Sequence, residues 1–232
     1  MPLSMRLLFC CLLGLLALPP AAAEENANAR RILEKVEQRL LNARYVDLYA
    51  HVSIEGPFER QLNGSFIIDE SGTMTGSFRG TIGKDPATVA VKAEGQQLSM
   101  TLNQEQRNGT QPPALREAIL VGLMRVGFAQ SLIAFSQLQP PERAGGGVRD
   151  WVSYANVNVR EASLAQGYHN GEIGLQFDLM IGGQVAGHAR LWISTQTQLP
   201  TRREQFLTYQ DAEGKTRELQ IDENFSRFVV EP

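Results

Sequence analysis

Apolar and polar residues along this chain follow two periods, and the period changes between segments. Residues Asn26 to Ala43 carry Ile32, Val36 and Leu40 at a spacing of four, with Leu33 and Leu41 beside them. Arg30, Arg31, Glu34, Lys35, Glu37 and Arg39 fill the remaining positions. That spacing predicts an amphipathic helix with one buried stripe. From Tyr45 the period becomes two. In "YVDLYAHVSI", Val46, Leu48, Ala50, Val52 and Ile54 share one phase, and Tyr45, Asp47, Tyr49, His51 and Ser53 share the other. Successive side chains of a strand point to opposite faces, so this segment predicts a half-buried strand.

Short strands of the same kind follow in "GPFERQLNGSFIID", "TMTGSFRGTI", "ATVAVKAEG" and "QQLSMTLN", with "DESG" and "GKDP" as turns between them. "PPALREAILVGLMRVGFAQSLIAFSQ", Pro112 to Gln137, then interrupts the meander with helical spacing at Leu115, Ile119, Leu123, Val126 and Ile133. It is apolar nearly all round, which predicts a central helix buried on most sides, with Gly122 and Gly127 as places for close packing or a bend. Arg125 at mid-helix would be costly in a bilayer, which weighs against a membrane span. After the Pro- and Gly-rich loop at Leu138 to Gly147, strands resume with "VRDWVSYANVNVREASL", "GEIGLQFDLMI", "VAGHARLWIS", "LPTRREQFLTYQ" and "KTRELQIDENFSRFVVE". Ile173, Leu175, Phe177, Leu179 and Ile181 form one clean apolar face. The expected architecture is mainly antiparallel β with helices (α+β). The strands are expected to form a meander that curls into a barrel or a sandwich, with the apolar helix as core or lid.

The first residues change the compartment. "MPLSMRLLFCCLLGLLALPPAAAEEN" has a positive Arg6, an apolar Leu7 to Leu18, a Pro19-Pro20 break and small residues Ala21 to Ala23. These are the parts of a secretory signal peptide cut near Ala23, so residues 1–23 are expected to be a leader for export. Residues 24–232 are expected to form one domain. Both cysteines, Cys10 and Cys11, lie in the leader, so an exported chain would have neither a disulfide nor a thiol nucleophile. Losing Arg6 takes the formal charge from −3 to −4, which argues against nucleic acid as a partner.

The sequence offers little chemistry. His51, His169 and His188 are scattered over different strands, without the short spacing of a local metal site. There is no G-x-S-x-G, and "RAGGGV" lacks the Lys and Ser/Thr of a phosphate loop. Asp47, Asp178 and Asp222 stand opposite apolar positions in strands, as on a solvated outer face. No constellation of catalytic or metal-binding residues stands out in the sequence.

The C-terminal segment "ARLWISTQTQLPTRREQFLTYQDAEGKTRELQIDENF" resembles the last strands of the LolA/LolB-like lipoprotein-carrier superfamily. The resemblance lies in Leu191-Trp192-Ile193, Gln198-Leu199-Pro200, Arg202-Arg203, the hairpin from Asp211 to Gly214, and Leu219 to Phe225. "ILEKVEQRLLNARYVDLYAHVSI", behind the leader, resembles the superfamily's head. "YVDLYAHV" lacks the aromatic-Gln pair of the housekeeping carriers. Arg60 and Arg79 stand on early strands, where those carriers use an arginine to hold a lid helix, but neither sits in a matching motif. The resemblance is therefore to a divergent member.

It implies a single curved, half-open β-barrel covered by the N-terminal helix and the central apolar helix, an apolar cavity for acyl chains, no cofactor, and a non-enzymatic periplasmic carrier of a lipid or lipoprotein acyl chain. Met74, Phe78, Leu120, Met124, Phe128, Phe177 and Leu179 are the candidate lining residues, since Met and Phe suit an adaptable apolar pocket. The expected partner is a lipid or an acylated protein, with transient contact to a membrane or membrane protein, and the chain is expected to act as a monomer. The alternative is a protein-interaction or envelope-sensing module on the same fold with a filled core.

Overall fold

The computed structural model describes residues 20–56, 59–111, 115–129, 131, 153–160, 171–181, 184–210 and 213–232. Helix α1 (Pro20–Leu41) precedes six strands: β1 (Tyr45–Glu55), β2 (Arg60–Asp69), β3 (Met74–Ile82), β4 (Asp85–Glu94), β5 (Gln97–Leu102) and β6 (Glu105–Thr110). Helix α2 (Leu115–Arg125) separates them from β7 (Ser153–Arg160), β8 (Glu172–Ile181), β9 (Gln184–Ser194), β10 (Pro200–Gln210) and β11 (Thr216–Glu231). All eleven strands join one antiparallel sheet in the order β6-β5-β4-β3-β2-β1-β11-β10-β9-β8-β7. β6 and β7 stand at opposite edges, so the sheet is not closed. Two meanders meet where β1 pairs with β11, which places the first and last strands at the centre.

The alternation predicted for β1 is realised residue by residue: Val46, Leu48, Ala50, Val52 and Ile54 are all buried. The same phase continues through Phe66 and Ile68 on β2, Met74 and Phe78 on β3, and Val89, Val91 and Ala93 on β4. These faces and the stripe Ala29, Leu33, Val36 and Leu40 of α1 form one continuous hydrophobic core. α1 packs against β7 and α2. It starts at Pro20, ahead of the expected Asn26, so its range includes the expected cleavage position at Ala23.

Two sequence expectations need correction. β6, "EQRNGT", was not among the predicted strands. It has no apolar phase, every residue is exposed, and its strand conformation comes from pairing with β5. The central helix expected from Pro112 to Gln137 is also interrupted, at the Gly127 position where the sequence allows a bend. α2 stops at Arg125, and Gly127 adopts φ +88°, where a residue with a Cβ is strained. Helical backbone resumes at Phe128, and residues 132–150 lie outside the described set. No described helix is long and apolar enough to cross a membrane.

Candidate functional site

The seven residues singled out from the sequence come together. Met74 and Phe78 on β3, Leu120 and Met124 on α2, Phe128 beyond it, and Phe177 and Leu179 on β8 all belong to the one core cluster. None is more than 2% exposed. Phe128 sits between two rings of the opposite wall, with centroids 5.3 Å from Phe66 and 5.2 Å from Phe78. Edge-on and tilted ring contacts of this kind are favourable and orient the rings. α2 therefore lies against the inner face of the sheet with its apolar residues turned inward.

Polar contacts fix α2 at both ends. At its start, Arg116 donates to the carbonyl of Asp69 (2.9 Å), to that of Leu41 (3.1 Å) and to that of Ala43. These bonds join α2 to the carbonyl end of α1 and to the β2–β3 turn, supplying donors where a helix end leaves carbonyls unpaired. Burial pulls the Arg116 guanidinium below its usual range, against the upward pull of Asp69 and Glu70.

The far end of α2 holds the most unusual chemistry among the described residues. Arg203 on β10 stands directly opposite Glu223 on β11, and both are fully buried. One Glu223 oxygen accepts the backbone N–H of Phe128 at 3.0 Å, and the other accepts that of Ala129 at 2.8 Å. Arg203 Nη2 donates to the carbonyl of Arg125 at 3.0 Å. The Arg125 side chain in turn donates to Glu37 of α1 at 2.8 and 3.1 Å. The sheet thus grips the turn after α2 from one side, while α1 grips its last residue from the other. Gly127 lies in the middle, where a Cβ would come within 2.4 Å of Arg203 Nη1.

Burial works on both members of the sheet pair. It pushes the Glu223 carboxyl up, against the lowering effect of Arg203 and the two backbone N–H groups. It also pulls the Arg203 guanidinium down to about 10. Removing ions from water is costly, and such a pair is kept only with compensating charge and hydrogen bonds.

The sequence reading missed this set. It placed Glu37 among the polar fillers of α1, whereas Glu37 is buried. Arg203 appeared only within a motif, and Glu223 was not singled out. Phase carried the signal. Glu223 lies between Ile221 and Phe225 at a spacing of two, and Glu37 lies four residues after Leu33, on the apolar stripe. Arg60 and Arg79 are not in this network, and the arginine that bonds the end of α2 comes from a late strand.

The remaining candidates lie on the outside. His51 is exposed and bonded to Asn63, and His188 is exposed and bonded to Asp178. Asp47 pairs with Arg227 at 2.7 Å. His169 lies outside the described residues. Among the described residues no three of His, Cys, Asp and Glu gather as a metal site would require.

No family model matches the chain, and no curated protein matches it. Solved structures do. The chain is similar to LprF from Mycobacterium bovis at 11% identity and a TM-score of 0.42, covering 87% of this chain and 93% of that one. It is similar to MucB at 14% identity and a TM-score of 0.40, covering 89% of this chain and 60% of that one. A LolA superfamily protein from Nitrosomonas europaea is also similar, at 12% identity and a TM-score of 0.25, covering 88% of this chain and 94% of that one.

Proposed function

We propose that this chain is a non-enzymatic periplasmic binding protein or carrier for a hydrophobic ligand, a lipid or the acyl chain of a lipoprotein. Residues 24–232 would act as one monomeric domain in transient contact with a membrane or membrane protein. The observation that carries the reading is the way α2 is attached. Its apolar side covers a continuous apolar wall, while its directional bonds are gathered at its two ends, at Arg116 and at Arg125 to Ala129. A helix held in this way can tilt or slide without dismantling the sheet. The wall beneath it offers Met74, Phe78, Phe177 and Leu179 to an acyl chain, and Leu120, Met124 and Phe128 would close over it. Each methylene taken from water is worth ~0.8 kcal/mol, so a chain of ordinary length supplies ample affinity.

A second reading has its own support. The same seven side chains are packed shut, as in a filled core, which suits a protein-interaction or envelope-sensing module. Native mass spectrometry of the exported protein, purified without detergent and followed by organic extraction, separates the two. A carrier gives a discrete adduct that extracts as lipid, or binds added phospholipid or acylated peptide. A filled module stays at its bare mass under both conditions.

A further inference from the structure

We propose that Arg203 and Gln205 form a polar subsite for the linkage group of an acyl ligand, an uncharged ester or amide carbonyl. This rests on the hydrophobic-ligand reading above and adds the chemistry of the ligand's polar end. Both side chains are fully buried and stand two residues apart on β10, so they point to the same inner face. Arg203 spends one nitrogen on the Arg125 carbonyl. Its Nε and Nη1 find no hydrogen-bond partner among the described residues, and neither does Nε2 or Oε1 of Gln205. Buried polar atoms are paired in nearly all folded proteins, because an unmade bond costs far more than a made one returns. Four such atoms on one patch of an otherwise apolar wall call for a partner that comes and goes.

The register shows what adjoins them. Across the sheet, Arg203 lies between Leu191 on β9 and Glu223 on β11, and Gln205 lies between Ala189 on β9 and Ile221 on β11. Ala189, the smallest of these neighbours, is followed by Phe177 on β8. A chain lying on Phe177 and Leu179 would thus bring its polar end across Ala189 to Gln205 and Arg203.

Charge selects the kind of polar end. Arg203 faces Glu223, and Arg125 is bonded to Glu37, so the buried charges cancel in pairs. Both Glu223 oxygens accept N–H donors, as an ionised carboxylate does. A fatty-acid carboxylate would therefore add an unbalanced negative charge to a buried site, which is strongly disfavoured. An ester or amide carbonyl accepts the free Arg203 and Gln205 donors without adding charge. A neighbouring hydroxyl or amide N–H can donate to Gln205 Oε1.

The test uses four probes on the exported protein near neutral pH: 1-monooleoylglycerol, an N-palmitoyl dipeptide, oleate and 1-octadecene, with affinity read by titration calorimetry. The protein should bind monooleoylglycerol or the palmitoyl dipeptide about tenfold or more above octadecene, as expected for one or two added hydrogen bonds. Oleate should bind no better than octadecene. Whichever of the two linked probes binds better tells whether the linkage belongs to a glycerolipid or an acylated polypeptide. Gln205→Leu, which replaces an unpaired amide with an apolar group, should lose about fivefold or more for the linked probe and leave octadecene unchanged. Equal affinity for all probes overturns the subsite while the carrier reading stands. So does preferential oleate binding, or an equal loss for octadecene in Gln205→Leu. Failure of every probe overturns both.

Discussion

The two wings of the sheet bury their inner faces in different ways. From β1 to β5 the buried face is wholly apolar, running through Leu48, Ala50, Val52, Phe66, Met74, Phe78 and Val91. From β8 to β11 the apolar run of Leu175, Phe177, Leu191 and Ile221 is broken by Arg203, Gln205 and Glu223. The first wing is stabilised by area removed from water, which is non-directional and tolerant of exchange. The second binds particular atoms of the α2 terminus, which is directional and fails when one partner is lost. One wing gives the fold its bulk stability, and the other sets where the covering helix sits.

That contrast can be broken most strongly at Arg203. Arg203→Met leaves the Glu223 carboxylate buried without its counter-charge and should cost about 3–5 kcal/mol in a urea titration. Adding Glu223→Leu should restore much of that loss, so the pair is strongly non-additive. Leu48→Ala on the apolar wing should cost about 2–5 kcal/mol by opening a cavity. It should be additive with Arg203→Met, which marks the two wings as separate contributions. Gly127→Ala forces a Cβ into left-handed backbone beside Arg203 and should cost about 1–3 kcal/mol in the same assay.

A smaller effect follows from pH. Burial holds the Glu223 carboxyl above its ordinary value in the folded protein, whereas in the unfolded chain it titrates normally. The proton is then bound more tightly when folded. This contribution is full below the ordinary carboxyl range and is lost as pH rises through the raised folded value. As pH rises above the ordinary carboxyl range, the Tm of the wild-type protein should therefore fall relative to that of Glu223→Gln. A parallel course for the two would contradict it. At the small end, Leu102→Thr at the exposed end of β5 should change stability by less than about 0.5 kcal/mol.

Much of the fold was legible because a half-buried strand writes its faces in alternate letters. β1 was read correctly position by position, as was the buried phase of Leu175, Phe177 and Leu179 on β8. The pairing of β1 with β11 was not legible, since nothing local says that the first strand meets the last. β6 was invisible because its residues carry no apolar phase and only pairing with β5 extends them. The apolar candidates all lie in the buried core, because a strongly apolar helix has one place to go. The buried charges were misread because identity was weighed above phase. In "TRRE", Arg202 turns outward over Trp192, 4.5 Å from its ring centroid, while its neighbour Arg203 turns inward. A charge on the apolar phase of two adjoining strands was the available clue.

As proposed, α2 is a cover that responds to a ligand on the wall beneath it. Hydrogen exchange of the exported protein, with and without bound monooleoylglycerol, tests this most directly. The amides of Leu115 to Arg125 and of Phe128 and Ala129 should change protection, while those of β1 to β4 stay as they were. Bound ligand with unchanged exchange throughout α2 would contradict the claim.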